Sequence, residues 1–246
     1  LRSVREVLTA KITTHMVVLP DSEESAIPFN IPEVTLSQAL DSLSVARGSL
    51  DMLLSSAVID IDIGSSCRMV LDRAEVNLGN QYRRKQSSKL RGLYVIVDPT
   101  VTRHDIIRVA EDSLNAGAQA IQLRDKMSDK GKQLPLARYL KGLCEQHQAL
   151  FLANDNADIA IASKAHGLHL GQTDLPIAEA RRLLIPQQII GCSTNTTKQA
   201  IDAEANGADY IAVGAMFPTV KGANNQPAKL AGTETLALVR QAVRGP

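Results

Sequence analysis

The run GLHLGQTDLP, residues 167–176, decides how this chain folds. Leu168 and Leu170 alternate as on a strand, and Gly171 lets the backbone turn. Asp174 and Pro176 then read as the start of a helix. A carboxylate just past the carboxyl end of a strand is where a parallel α/β barrel carries its chemistry. The same arrangement recurs upstream. Asp155 follows the strand-like ALFLAN at 149–154, and Gln122, Arg124 and Lys126 follow or end the run AQAIQLRDK at 118–126. Three successive strand ends therefore bear acids or bases, which loops chosen only for turning would not need.

Working outward, strand-like runs occur at 93–98 (LYVIVD), 118–124, 149–154, 167–171, 188–193 (QIIGCS) and 208–217 (ADYIAVGAMF). Amphipathic segments lie between them, at Asp105 to Ala116, Gly131 to Gln146 and Thr197 to Asn206, and Glu234 to Val243 follows the last. The motifs NAGAQA, KAHGLH and ANGADY each put a Gly between helix and strand, the position of a helix C-cap. Repeating βα units predict a parallel sheet, and their length matches a TIM-type barrel. Six strands fall short of eight. The pattern alone leaves two readings, an open doubly wound sheet or a barrel lacking its last quarter.

Residues 1–88 have a different texture. Leu1, Val4, Leu8 and Ile12 share one helical face, Leu40, Leu43, Leu50, Leu53 and Ala57 a second, and Val70, Ala74 and Leu78 a third. SEESAIPFNIPE, with two Pro and several acids, reads as a loop, and QYRRKQSSK as a solvated linker. A small helical domain or an amphipathic association arm would both give this pattern.

Composition narrows the function. Of 246 residues, 44% are hydrophobic, enough for a real core, whereas aromatics reach only 3% and Trp is absent, which disfavours stacking on single-stranded nucleic acid. A net charge of +1 gives no broad polyanion-binding surface. Cys67, Cys144 and Cys192 are odd in number and lack metal-type spacing, which fits a reducing, cytoplasmic setting. No apolar run approaches the roughly 20 residues needed to span a bilayer. The chain begins at Leu1, so its true amino terminus is expected to lie upstream.

Five motifs in order, QLRDK (122–126), ND (154–155), GLHLGQTDLP (167–176), GCST (191–194) and ADYIAVGAMFPT (208–219), resemble thiamine-phosphate synthases over residues 91 to about 244. The resemblance implies a TIM (β/α)8 barrel, here incomplete with about six βα units. It sets a synthase-like domain at 89–246, truncated at its carboxyl end, behind a helical extension at 1–88. It implies a transferase that joins hydroxymethylpyrimidine pyrophosphate to thiazole phosphate with loss of pyrophosphate. Breaking that carbon–oxygen bond asks for cations and hydrogen-bond donors around the leaving group rather than a strong nucleophile.

Residue by residue, the resemblance implies that Gln122, Arg124 and Lys126 hold the pyrimidine pyrophosphate, with Arg124, Lys126 and Ser193 taking part in catalysis. Asp155 and Asp174 bind Mg²⁺, Asn154 and Ser193 hydrogen-bond the pyrimidine or its pyrophosphate, and Thr219 and Lys221 meet substrate. Plainer alternatives stand beside these roles. Arg124–Asp125 would serve as a surface ion pair, Asp155 and Asp174 as helix N-caps, and Ser193 as a loop hydroxyl. His166 and His169 read as structural. Two departures from the family pattern occur: Thr219-Val220-Lys221-Gly222 lacks one hydroxyl position, and Asn195 stands where members often carry His. Because Asn cannot titrate, the second departure favours the synthase over a thiazole tautomerase of the same superfamily. A non-catalytic, degenerate barrel is the remaining alternative. The expected partners are small molecules and further copies of the chain, without nucleic acid or membrane. Without the last two strands, the thiazole-phosphate site is expected to be incomplete.

Overall fold

A computed structural model describes residues 33–102, 104–217 and 230–246. The first expected helix, at Leu1 to Ile12, and the expected substrate contacts Thr219 and Lys221 lie outside the described residues.

Two long helices come first, α1 (Glu33–Ser55) and α2 (Ile61–Ser87). Asp60 starts α2 by accepting hydrogen bonds from the amides of Asp62 and Ile63, supplying partners for donors that a helix start leaves open. The helices pack as an antiparallel pair in which Leu36, Leu40 and Leu50 of α1 are buried. Along the expected face of α2, Ala74 and Leu78 are half-buried, whereas Val70 is 42% exposed. Gly64 sits against Leu54, whose side chain a Cβ there would overlap, so the glycine permits the close approach. The expected linker QYRRKQSSK is instead mostly helix. α2 continues to Ser87, and Arg83, Gln86 and Ser87 are buried. Polar residues that look solvated along the chain here face the base of the sheet.

The remainder alternates strand and helix: β1 (Tyr94–Val97), α3 (Ile106–Asn115), β2 (Ala120–Leu123), α4 (Lys130–Gln146), β3 (Leu150–Asn154), α5 (Ala157–Ala162), β4 (Gly167–Leu170), α6 (Ile177–Leu183), β5 (Ile189–Thr194), α7 (Thr197–Ala205), β6 (Tyr210–Val213) and α8 (Gly232–Ala242). All pairings are parallel and the spatial order is β1 to β6 without reversal. A doubly wound sheet reverses order at a switch point. Sequential order is that of a barrel wall, so the six strands among the described residues form an incomplete TIM barrel. On β6, the Ile211 amide donates to the Pro246 carbonyl at 2.9 Å. The sixth strand is shorter than the run ADYIAVGAMF, ending at Val213.

Strand alternation sorts side chains into two cores. Outward, Ile121, Leu123, Phe151, Ala153, Leu168, Leu170 and Ile190 pack on helix residues such as Leu114, Ala137, Leu140 and Ala180. Inward, Ala120, Leu150, Leu152, Ile189 and Tyr210 form a smaller cluster with Tyr94. Gly117 and Gly207 adopt the left-handed backbone expected of caps, with φ of 93° and 95°. In KAHGLH the left-handed residue is Lys164, and Gly167 lies within β4, where a Cβ would strike the Ile189 carbonyl and the Leu152 side chain. No described helix is long and apolar enough to cross a membrane.

Candidate active site

The inward positions of the sheet carry polar side chains one layer above the inner core. Each strand contributes one member to a continuous hydrogen-bonded chain. Gln122 of β2, only 2% exposed, donates through Nε2 to Asn154 Oδ1 of β3. Tyr94 of β1 donates to Gln122 Oε1 at 2.7 Å and meets the Tyr210 hydroxyl of β6 at 3.0 Å. That hydroxyl lies 2.8 Å from His169 Nδ1 of β4, and His169 Nε2 lies 2.8 Å from Ser193 Oγ of β5. Burial drives the His169 pKa down to about 4 despite the opposing charge of Asp174, so the ring is neutral at physiological pH. Gly191 makes room for this layer, because a Cβ there would overlap the Tyr210 ring.

Charged groups crown the layer at the carboxyl ends of the strands. Asp98, next after β1, pairs with Arg124, next after β2, and also accepts from the amide and hydroxyl of Thr100 at 2.8 and 2.6 Å. Burial raises the Asp98 pKa, but the Thr100 and Arg124 contacts outweigh it and hold the carboxyl below its ordinary range. Lys126 Nζ lies 3.1 Å from Asp155 Oδ2. The Asp155 pKa is raised, first by burial and then by the neighbouring Asp174 carboxyl, with Lys126 opposing. Asp174 Oδ2 in turn accepts from the Gly171 amide at 2.6 Å, which fixes the carboxylate over the end of β4. A cleft of about 470 Å³ opens alongside, lined by residues that include Lys126, Ser128, Lys130, Gln133 and Asp155.

The structure thus brings Gln122, Arg124, Lys126, Asn154, Asp155, Asp174 and Ser193 to one end of the sheet. The plainer alternatives change in their particulars. The N-cap of α5 is Asn156 and that of α6 is Pro176, so neither aspartate caps a helix. Arg124 pairs with Asp98 rather than Asp125, whose carboxylate accepts from the Met127 and Ser128 amides. Although two apart in sequence, Arg124 and Lys126 do not share a strand face. β2 ends at Leu123, and the two cations diverge to carboxylates beyond β1 and β3.

Among the described residues no group of three or more His, Cys, Asp or Glu side chains forms a metal cage. The donor set of Asp155 and Asp174 nonetheless fits Mg²⁺. Two neighbouring carboxylates repel when both are charged, and a hard cation keeping several waters needs only one or two protein carboxylates besides substrate phosphates. Asp98, Tyr94 and Tyr210 were not singled out from sequence. Asp98 obeys the same strand-end rule as Asp155. The tyrosines carry no local signal, because β1 and β6 are distant in sequence.

A family model described as thiamine monophosphate synthase matches residues 93–244. The thiamine-phosphate synthase of Shouchella clausii is 44% identical over 137 residues, covering 56% of this chain and 63% of that protein. That of Methanospirillum hungatei is 42% identical over 156 residues, covering 63% and 75%. The thiamine biosynthesis bifunctional protein of Geobacter sulfurreducens is 40% identical over 166 residues, covering 67% and 32%. A solved thiamine phosphate pyrophosphorylase from Pyrococcus furiosus superimposes with a TM-score of 0.58 at 33% identity, covering 65% of this chain and 74% of the other. The chain therefore spans from about a third to three quarters of the length of these relatives.

Proposed function

This chain belongs to the thiamine monophosphate synthase family, and from that premise we propose that it serves the joining of 4-amino-2-methyl-5-hydroxymethylpyrimidine pyrophosphate to hydroxyethylthiazole phosphate. The observation that carries the reading is the ring of charge at one rim, Arg124, Lys126, Asp155 and Asp174, above the inward amides of Gln122 and Asn154. In the reaction the methylene carbon–oxygen bond breaks and its electron pair leaves with pyrophosphate. The thiazole nitrogen then supplies the pair for the new carbon–nitrogen bond.

Arg124 grips phosphate oxygens through its planar fork, and Lys126 adds a second positive charge. Both oppose the negative charge that grows on the leaving group. Asp155 and Asp174 would hold Mg²⁺, which when bound neutralises the diphosphate. Gln122 and Asn154 orient the pyrimidine pyrophosphate from below, together with Ser193. Thr219 and Lys221 belong to the same reading as contacts to substrate. So do a cytoplasmic setting, self-association of the chain, and the division into a helical extension at 1–88 and a synthase-like barrel at 89–246. Asn195 donates to the Gly214 carbonyl and cannot titrate, which favours the synthase over the tautomerase.

Calorimetric titration with the pyrimidine pyrophosphate tests the reading. Binding should need Mg²⁺ and be lost in both Asp155→Ala and Asp174→Ala. Thiamine phosphate formation should require the pyrimidine pyrophosphate. Binding indifferent to Mg²⁺ and to both aspartates would overturn the assignment, and thiazole isomerisation without the pyrimidine would replace it by the tautomerase.

A further inference from the structure

The six-strand hydrogen-bonded chain has a direction. Gln122 spends its nitrogen on Asn154 Oδ1, so its oxygen faces Tyr94 and can only accept. Tyr94 has a single hydroxyl proton, and it goes to Gln122. The 3.0 Å contact between the two phenols therefore needs the Tyr210 proton. With that proton committed, Tyr210 oxygen can only accept from His169 Nδ1. His169 is 7% exposed, and its ring nitrogens meet two neutral hydroxyls, so it carries one ring proton. That proton sits on Nδ1, which leaves Nε2 as a bare acceptor for Ser193. The tautomer of a histidine is set by the hydrogen bond its other nitrogen makes, and here each link dictates the next.

We propose that Tyr94 and Tyr210 are positioning residues that lock His169 in the Nδ1–H tautomer, so that Ser193 gives its proton to His169 and meets ligand as an acceptor. Asn154 meets ligand from the opposite end of the chain with its side-chain nitrogen, a donor. The lock makes the site selective for a ligand edge with a donor at Ser193. Resting on the functional reading above, this identifies Ser193 with the exocyclic amine of the pyrimidine rather than with a phosphate oxygen, which offers no proton. A 4-oxo pyrimidine presents a carbonyl in place of that amine, so two acceptors would meet.

Nitrogen-15 shifts of the His169 imidazole in the ligand-free chain test the lock without reference to any substrate. The wild type should show the proton on Nδ1. Tyr94→Phe does not touch His169, yet it frees the Tyr210 proton to turn toward Nδ1, so the ring should change to Nε2–H. Tyr210→Phe should do the same by removing the acceptor. A wild-type ring protonated on Nε2, or a ring left unchanged by Tyr94→Phe, overturns the proposal. Should Tyr210→Phe fail to fold, the Tyr94→Phe result decides alone, since its effect reaches His169 only through the chain. With Mg²⁺ present, the wild type should bind the 4-amino pyrimidine pyrophosphate at least tenfold tighter than the 4-oxo analogue. Tyr94→Phe should bring that ratio toward one, and an unchanged ratio counts against the lock. Absence of binding by either pyrimidine would sink the functional reading, while the imidazole shifts still decide the lock.

Discussion

Arg83 Nε lies 3.1 Å from Asp209 Oδ1, joining α2 to the residue that precedes β6 across 126 positions of sequence. Both side chains are largely withdrawn from water, at 9% and 13% exposure. Arg83 also donates to the Pro186 carbonyl at 2.6 Å. Asp209 is further held by Arg181 and by the Ile190 amide at 2.8 Å. The helical pair is thereby fastened to the amino-terminal end of the sheet, opposite the charged rim.

Asp209→Ala should lose about 3–5 kcal/mol, because it strands two poorly solvated guanidinium groups without a counter-charge. Arg83→Ala should cost about 2 kcal/mol, less because Arg181 still neutralises Asp209. Urea unfolding measures both, and equal costs would show that Arg181 does not share the carboxylate.

Asp155 should destabilise the ligand-free fold at neutral pH. Its folded pKa is raised, so the native state favours the protonated acid and loses stability as pH climbs through that pKa. Asp155→Asn removes the opposed charge facing Asp174. It should raise the melting temperature by about 2 °C near pH 7, the effect of less than roughly 1 kcal/mol in a chain of this size. The gain should vanish below about pH 4 as the wild-type carboxyl takes up its proton. Added Mg²⁺ should stabilise the wild type and not the variant. A gain that persists in acid would argue against charge repulsion as its cause.

Arg124→Lys keeps the charge but loses the planar fork, which pairs with Asp98 and which the proposed role sets on two phosphate oxygens. The Michaelis constant for the pyrimidine pyrophosphate should rise at least tenfold, kcat should fall, or both should occur. Wild-type rates at limiting and saturating substrate would remove Arg124 from the site. The melting temperature should hardly move, since a side chain 34% exposed adds little through its ion pair.

Gly191→Ala should cost about 1–3 kcal/mol by overpacking, because the new methyl meets the ring of Tyr210, a residue 6% exposed. Displacing that ring also breaks its contact with His169. Near-ultraviolet circular dichroism of the tyrosines should therefore change along with stability. A silent substitution would mean that the inner layer has spare room.

Much was legible along the chain because the information is local. Period-two runs and amphipathic segments gave the strand and helix alternation, and an acid or base after a strand marks the rim whatever the strand's neighbours. Asp155, Asp174 and Arg124 could be named from sequence for that reason. Six runs could not choose between an open sheet and a barrel, since strand order is a fact about space rather than sequence. QYRRKQSSK looked solvated because nothing local shows that Arg83 has a carboxylate waiting 126 residues away.

The sequence by itself determined the parallel βα repeat, the motif residues and the family likeness, all of which depend on residues near one another in the chain. Tertiary structure alone decided that Arg124 turns to Asp98 while Lys126 turns to Asp155, and that Asp155 meets Asp174. It also decided that Tyr94 and Tyr210, from the first and last strands, touch inside the sheet. Hydrogen bonds and ion pairs act only over a few ångströms, so which groups they join depends on how the sheet curls.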